Sequence, residues 1–154
     1  MKNKFILFLA FSLMIGGINP ASANTIYMDN KCNQNQNLGQ YDRFRIFYQA
    51  EFKVSNQSYW FYAGRYQDGA VLFCLSHPNF QKPKDLTELT EINARFIDNI
   101  VQDTNDNTIF LVTESLSGRK DALMTEYRVS FANPNQPEIT KLKSMRVPHS
   151  ERLK

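Results

Sequence analysis

The chain has 154 residues and a formal charge of +3, from 18 Lys+Arg against 15 Asp+Glu. That length makes one domain and not comfortably two, and 13% aromatic residues argue against wholesale disorder. The near-neutral balance argues against nucleic-acid binding by bulk charge, and two histidines and two cysteines leave little for a metal centre or a nucleophilic triad.

Residues 1–23 read as a signal peptide. Lys2 and Lys4 form a positive start, residues 5–15 are an apolar run, and Ala21-Ser22-Ala23 supplies the small residues of a cleavage site. At ~1.5 Å per residue the apolar run would cross only about half of a bilayer core, so an anchor is disfavoured and Asn24 is the expected mature N-terminus. Losing Lys2 and Lys4 lowers the formal charge from +3 to +1. No other stretch approaches the length of a membrane span, so the expected location is secreted or periplasmic. In an oxidising compartment Cys32 and Cys74 are expected to form one disulfide, worth about 4 kcal/mol by chain entropy.

Residues 24–40 form a polar arm, with Asn33-Gln34-Asn35-Gln36-Asn37 at its centre. A single β domain is expected over residues 41–146. In residues 43–54, Phe44, Ile46, Tyr48, Ala50, Phe52 and Val54 alternate with the other set, a period of two that predicts a long half-buried strand. Ser55-Asn56-Gln57-Ser58 turns the chain into a second strand at 59–67. Asp68-Gly69, a favoured type I′ pair, leads to a third at 70–76. A two-residue loop there sets Tyr66 opposite Val71, Gly64 opposite Phe73 and Tyr62 opposite Leu75. One face then carries Trp60, Tyr62, Tyr66, Val71, Phe73 and Leu75 and is assigned to the core. The outer face carries Phe61, Ala63, Arg65, Ala70, Leu72 and Cys74. An outward Cys74 bonded to Cys32 would strap the arm across that outer face.

Residues 77–84 read as a loop. Asp85-Leu86-Thr87-Glu88 has capping-box spacing, and Leu86, Leu89, Ile92 and Phe96 recur at helical intervals, predicting a short helix with an extended segment as the alternative. Strands at 96–102 and 108–114 flank an Asp/Asn-rich turn at 103–107. Residues 123–131 alternate with Leu123, Tyr127, Val129 and Phe131 to one side. A last strand at 138–145 carries Lys141 and Lys143, as an exposed sheet edge does. The expected fold is mainly β: an antiparallel β-sandwich or flattened barrel of about seven strands in two meanders. Residues 147–154 read as a basic tail, since the last fourteen residues carry five Lys/Arg against one Glu.

Three resemblances attach to particular residues. The segment from Tyr127 through Pro137-Glu138-Ile139 resembles an inter-strand hairpin of some propeller blades, a local likeness on a chain too short for a propeller. Tyr62-Ala63-Gly64-Arg65-Tyr66 leading to Phe73-Cys74-Leu75-Ser76, in an Asn/Gln-rich chain with a leader, resembles small uncharacterised secreted proteins of cyanobacteria, a likeness that implies no activity. The run from Gly64 to Gly69 is similar to a segment of periplasmic C-type-lysozyme inhibitors. Ala63 stands where their motif has Ser, and Tyr66 follows Gly64 one residue too soon, so their blocking contact does not carry over.

Candidate chemistry is sparse. Asp103, Asn105, Asn107 and Glu114 fall at calcium-loop spacing, but Thr108 occupies the position that needs Gly, and an ordinary turn explains the run. His77 and His149 are too few for zinc without carboxylates. Asp98, Asp103, Glu114 and Glu126 are the carboxylates open to a hydrolase, although no nucleophile elbow or phosphate-cradling loop accompanies them. Ten of the 26 residues from 41 to 66 are aromatic. Arg43, Phe47, Tyr59, Phe61 and Arg65 fall on the outer face and form the candidate binding surface, unless the strapped arm covers it. The expectation is therefore a secreted or periplasmic non-catalytic binding protein, without cofactor or metal, for an envelope protein or glycan. The alternatives are an inhibitor of a cell-envelope enzyme and a small carboxylate-dependent hydrolase.

Overall fold

A computed structural model describes residues 25–151. The leader assigned to residues 1–23 lies outside the described residues. The chain forms two antiparallel sheets, each a meander: β1 (Tyr27–Met28), β2 (Phe44–Val54), β3 (Gln57–Arg65), β4 (Val71–His77) and β5 (Gln81–Asp85) in one, and β6 (Ile97–Gln102), β7 (Ile109–Ser117), β8 (Asp121–Ser130) and β9 (Glu138–Pro148) in the other. The sheets face each other as a β-sandwich. Two of the nine strands are not apparent in the sequence pattern: β1, a two-residue piece of the polar arm, and β5, within the segment expected to be a loop. β5 contains Pro83 between two lysines and lies on the sheet edge, where a missing N–H costs nothing.

Phenylalanines from both sheets meet between the layers. Phe61 lies 4.6 Å from Phe110 and 5.0 Å from Phe131 between ring centroids, and Phe52 lies 5.1 Å from Phe131. Phe73 stacks on Phe61 at 5.7 Å. Leu86, Leu89 and Ile92 close one side of this core, all fully buried. Their spacing of three is as expected, but no helix forms over 85–95: Asp85 ends β5 and residues 86–95 are a chain of turns, in which the N–H groups of Leu89 and Ile92 reach back three residues and Ala94 adopts a left-handed φ of 57°. Phe96 leaves this set and is half exposed. The segment then stitches the layers together, since Val71 N–H donates to Arg95, Ala94 N–H to Val71, and Ser115 N–H to Phe96.

Two local features correct the expected faces of the first meander. The first is the β3–β4 loop. Tyr66 and Ala70 are hydrogen-bonded, Gly69 N–H donates back to Tyr66, and Gly69 takes φ +98°. This is a three-residue loop over Gln67, Asp68 and Gly69, not a two-residue type I′ turn. It pairs Gly64 with Leu72 and Tyr62 with Cys74, one residue away from the expected register. A one-residue slip inverts a strand. β4 keeps its expected orientation, with Val71, Phe73 and Leu75 inward, but β3 is turned over: Phe61 and Ala63 enter the core, while Trp60 and Tyr62 face outward. The type I′ geometry occurs instead at Ser55-Asn56, where both residues have positive φ and Val54 pairs with Gln57.

The second feature is a β-bulge at Phe47, where the pairing jumps from Ile46–Gly64 to Tyr48–Ala63. A bulge shifts the alternation by one. Tyr48, Ala50, Phe52 and Val54 therefore pack on the inner core, whereas Phe44 and Ile46 pack on a second cluster outside the sheet.

That outer cluster is built by the arm. Cys32 and Cys74 form the disulfide, Met28 and Tyr62 pack beside it, and Tyr62 Oη donates to Cys32 C=O at 2.8 Å. Gly64 lies beneath Met28 and Phe44: a Cβ there would stand 2.9 Å from Phe44 Cβ and collide with Met28 Cε. Phe73, placed opposite Gly64 by a two-residue loop, instead pairs with Ala63 on the inner side. Asp29 holds the arm's own turn. Burial works to raise its carboxyl pKa, but hydrogen bonds from the Asn33 side chain and from the N–H groups of Asn33 and Lys31 outweigh it and keep it below its ordinary value. A depressed carboxylate stabilises the fold above its unfolded pKa, and that contribution is lost as pH falls through the folded value. Acid titration followed by amide NMR should therefore loosen Lys31 and Asn33 as Asp29 protonates, at a pH below that of an ordinary aspartate.

β9 is a long exposed edge, as its lysines predicted. Lys143 pairs with Glu126 and Arg146 with Asp121 on neighbouring β8. It continues through Pro148, and the His149 ring meets Gly118 C=O at 3.0 Å, so the start of the stretch read as a tail is docked. Among the described residues, no helix is long and apolar enough to cross a membrane.

Candidate functional site

The register of the first sheet places side chains in rows across its inner face. Tyr48, Ala63 and Phe73 form one such row. Beyond the Phe47 bulge the next row is Tyr27, Arg45, Arg65 and Val71. The inner face thus changes from aromatic core to arginine at the open end of the sandwich. Arg43, just before β2, lies over Tyr27 at the same end.

Aromatic rings hold two of these guanidinium groups. Arg65 lies 4.2 Å over the Phe47 ring and donates through Nη2 to Ile97 C=O at 2.8 Å, tying β3 to the start of β6. Arg43 lies 4.5 Å over the ring of Tyr27, which the arm delivers. Arg45 and Arg65 are direct cross-strand partners. Like charges placed directly opposite each other across strands are destabilising. None of the four ion pairs among the described residues involves Arg43, Arg45 or Arg65. The three line an open depression of about 340 Å³ with Tyr27, Gln40, Tyr66 and Gln67. Tyr66 Oη donates to Tyr41 C=O at 2.8 Å, which pins the end of the arm to the rim.

The expected surface of Arg43, Phe47, Tyr59, Phe61 and Arg65 is therefore divided. Arg43 and Arg65 meet at the mouth, with Phe47 beneath Arg65. These residues lie on the inner side of the sheet, not the outer. Phe61 is fully buried in the core. Tyr59 lies at the other end of β3, stacked on Phe52 at 5.5 Å and against His77 at 5.0 Å. Arg45 alternates with Arg43 and was legible in the sequence beside the aromatic residues of this surface, whereas Tyr27 and Tyr66 were not read as part of it, because the contribution of the arm has no local signal.

Other polar groups are occupied locally. Asp103 Oδ1 accepts from Asn105 N–H at 2.7 Å and Asp106 N–H at 3.1 Å, capping the turn that resembled a calcium loop. Glu114 faces inward, accepting from Tyr127 Oη at 3.2 Å with Arg95 at 4.0 Å, while Glu126 pairs with Lys143 on the other side of the sheet. Burial, and then the charge of Glu114, raise the Tyr127 phenol above its ordinary pKa, so it remains a donor. Among the described residues no three or more His, Cys, Asp or Glu side chains are grouped to hold a metal ion.

Guanidinium groups present planar, permanently charged donor forks that match carboxylate, sulfate and phosphate oxygens. Three of them without ion-pair partners line the open mouth beside the Tyr27 and Tyr66 rings and the Gln40 and Gln67 amides. No protein-family model, no curated protein and no solved structure matches this chain.

Proposed function

We propose that this chain is an exported, non-catalytic binding protein that holds anionic groups of an envelope protein or glycan at the mouth of its sandwich. The leader pattern of residues 1–23 and the Cys32–Cys74 disulfide support export. The observation that carries the binding reading is the Arg45–Arg65 cross-strand pair, which lacks a carboxylate partner and is flanked by Arg43. An anion bridging these guanidinium groups replaces repulsion with charge-assisted hydrogen bonds, each worth about 1.5–3 kcal/mol.

The test is a titration of the protein with fluorescent poly-L-glutamate, sulfated dextran and neutral dextran. One of the two polyanions should bind, neutral dextran should not, and affinity should fall as salt is raised. Arg45→Gln combined with Arg65→Gln should weaken that binding at least tenfold while lowering the melting temperature by only a few degrees, because the relieved repulsion offsets part of the lost Arg65 tie to Ile97 C=O. Unaltered affinity in this double variant would move the contact surface elsewhere.

A further inference from the structure

Resting on the mouth as the ligand site, we infer that the N-terminal arm is the second half of that site: arm docking and anion binding are one coupled equilibrium, which the Cys32–Cys74 bond keeps on the docked side. The arm meets the first sheet in three places. At β1, Tyr27 pairs with Arg45, Met28 pairs with Phe44, and Ile46 N–H donates to Ile26 C=O at 2.9 Å. At its middle, Cys32 is bonded to Cys74 and its carbonyl accepts from Tyr62 Oη. At its end, Tyr41 C=O accepts from Tyr66 Oη. The first and last of these contacts belong to the depression itself, which Tyr27 and Gln40 also line.

The consequence is chemical. With the arm docked, Tyr27 places a ring under the Arg43 guanidinium, which lines the same depression as Arg45. With the arm lifted, Arg43 loses that ring, Tyr66 Oη loses its acceptor, and Arg45 loses its neighbour on the outer strand. The arm is also a small hairpin of its own, closed by Asn35 N–H to Tyr27 C=O at 3.0 Å and by the Met28–Gln34 bridge. That hairpin can therefore lift as a unit. Both bonded sulfurs are fully buried, beside Met28 Sδ at 3.6 Å from Cys74 Sγ. The bond thus acts as a tether that keeps the arm at high effective concentration over the sheet. When only a fraction of molecules is binding-competent, apparent affinity falls by that fraction, and the ligand in return favours the docked arm by the same factor.

Three proteins test this: the wild type, Cys32→Ala with Cys74→Ala, and Tyr66→Phe, which keeps the bond and removes one tie. Each is titrated with whichever of poly-L-glutamate and sulfated dextran binds the wild type, and amide exchange is followed at Ile46, whose N–H bonds the arm, with and without that polyanion. Affinity should fall at least tenfold in the cysteine-free protein and severalfold in Tyr66→Phe. In both variants, exchange at Ile46 should be faster than in wild type and should slow when the polyanion is added. Equal affinities in all three, or arm exchange that the polyanion leaves unchanged, would overturn the coupling. If the cysteine-free protein does not fold, Tyr66→Phe decides by the same two readouts. Failure of the wild type to bind either polyanion would instead remove the reading of the mouth on which the coupling rests.

Discussion

Phe61→Ala is expected to destabilise the protein by about 3–5 kcal/mol, the usual cost of deleting a fully packed phenylalanine. The ring touches its neighbours on every side: Phe73 on its own sheet, Phe110 and Phe131 across the sandwich, and Tyr48 at 6.1 Å. None of these can collapse into the void without leaving its own partners, because Phe110 and Phe131 also pack against Phe52. For a domain of this size the loss corresponds to roughly 10–20 °C of melting temperature. Phe47→Ala should behave differently. Its half-exposed ring supports Arg65, so its removal should cost less stability and more affinity for polyanions. Thermal melts and titrations on the same two variants check the pair. A Phe61→Ala protein that melts within a few degrees of wild type would contradict the register of β3.

The second large effect is loss of the disulfide. Cys32 and Cys74 are 42 residues apart. Releasing a loop of that size should cost about 4 kcal/mol in denatured-chain entropy. That is a sizeable part of the 5–15 kcal/mol available to an ordinary domain. The loss should be confined in its structural effects. The inner core of Phe52, Phe61, Phe73, Phe110 and Phe131 does not include the arm, so the sandwich should persist. The outer cluster of Met28, Tyr62, Leu72 and Cys74 should open. Urea unfolding of the Cys32→Ala, Cys74→Ala protein should therefore show a lower midpoint with β-sheet signal retained in water. An unchanged midpoint would mean that the tether contributes nothing to the folded arm.

Several features of this protein were legible without coordinates because they depend on local chemistry. The period of two in residues 43–54, the lysines of β9, and the Asp103 turn are determined within a few residues of chain. The outward direction of Cys74 was also legible, since β4 alternates Val71, Phe73 and Leu75 against Leu72 and Cys74, and with it the strapping of the arm. β5 was not legible, because Lys82-Pro83-Lys84 carries no apolar alternation and pairs only where β4 offers an edge.

The faces of β2 and β3 were decided by tertiary structure. Residues 59–62 are aromatic without interruption, so β3 has no polar side to orient it. Its orientation follows from its register, and the register follows from one loop. Gly69 can take positive φ in a two-residue or a three-residue loop, and Asp68 can supply a side-chain acceptor in either. The sequence around the turn is compatible with both, and only the pairing with β2 and the packing against the second sheet choose between them. The Phe47 bulge is of the same kind: an extra residue is invisible to a pattern of period two until the partner strand is in place. Those two choices turn Phe61 from a surface residue into the centre of the core. They also carry Arg45 and Arg65 to the inner face beyond the second sheet, where Tyr27, distant in sequence, completes the mouth.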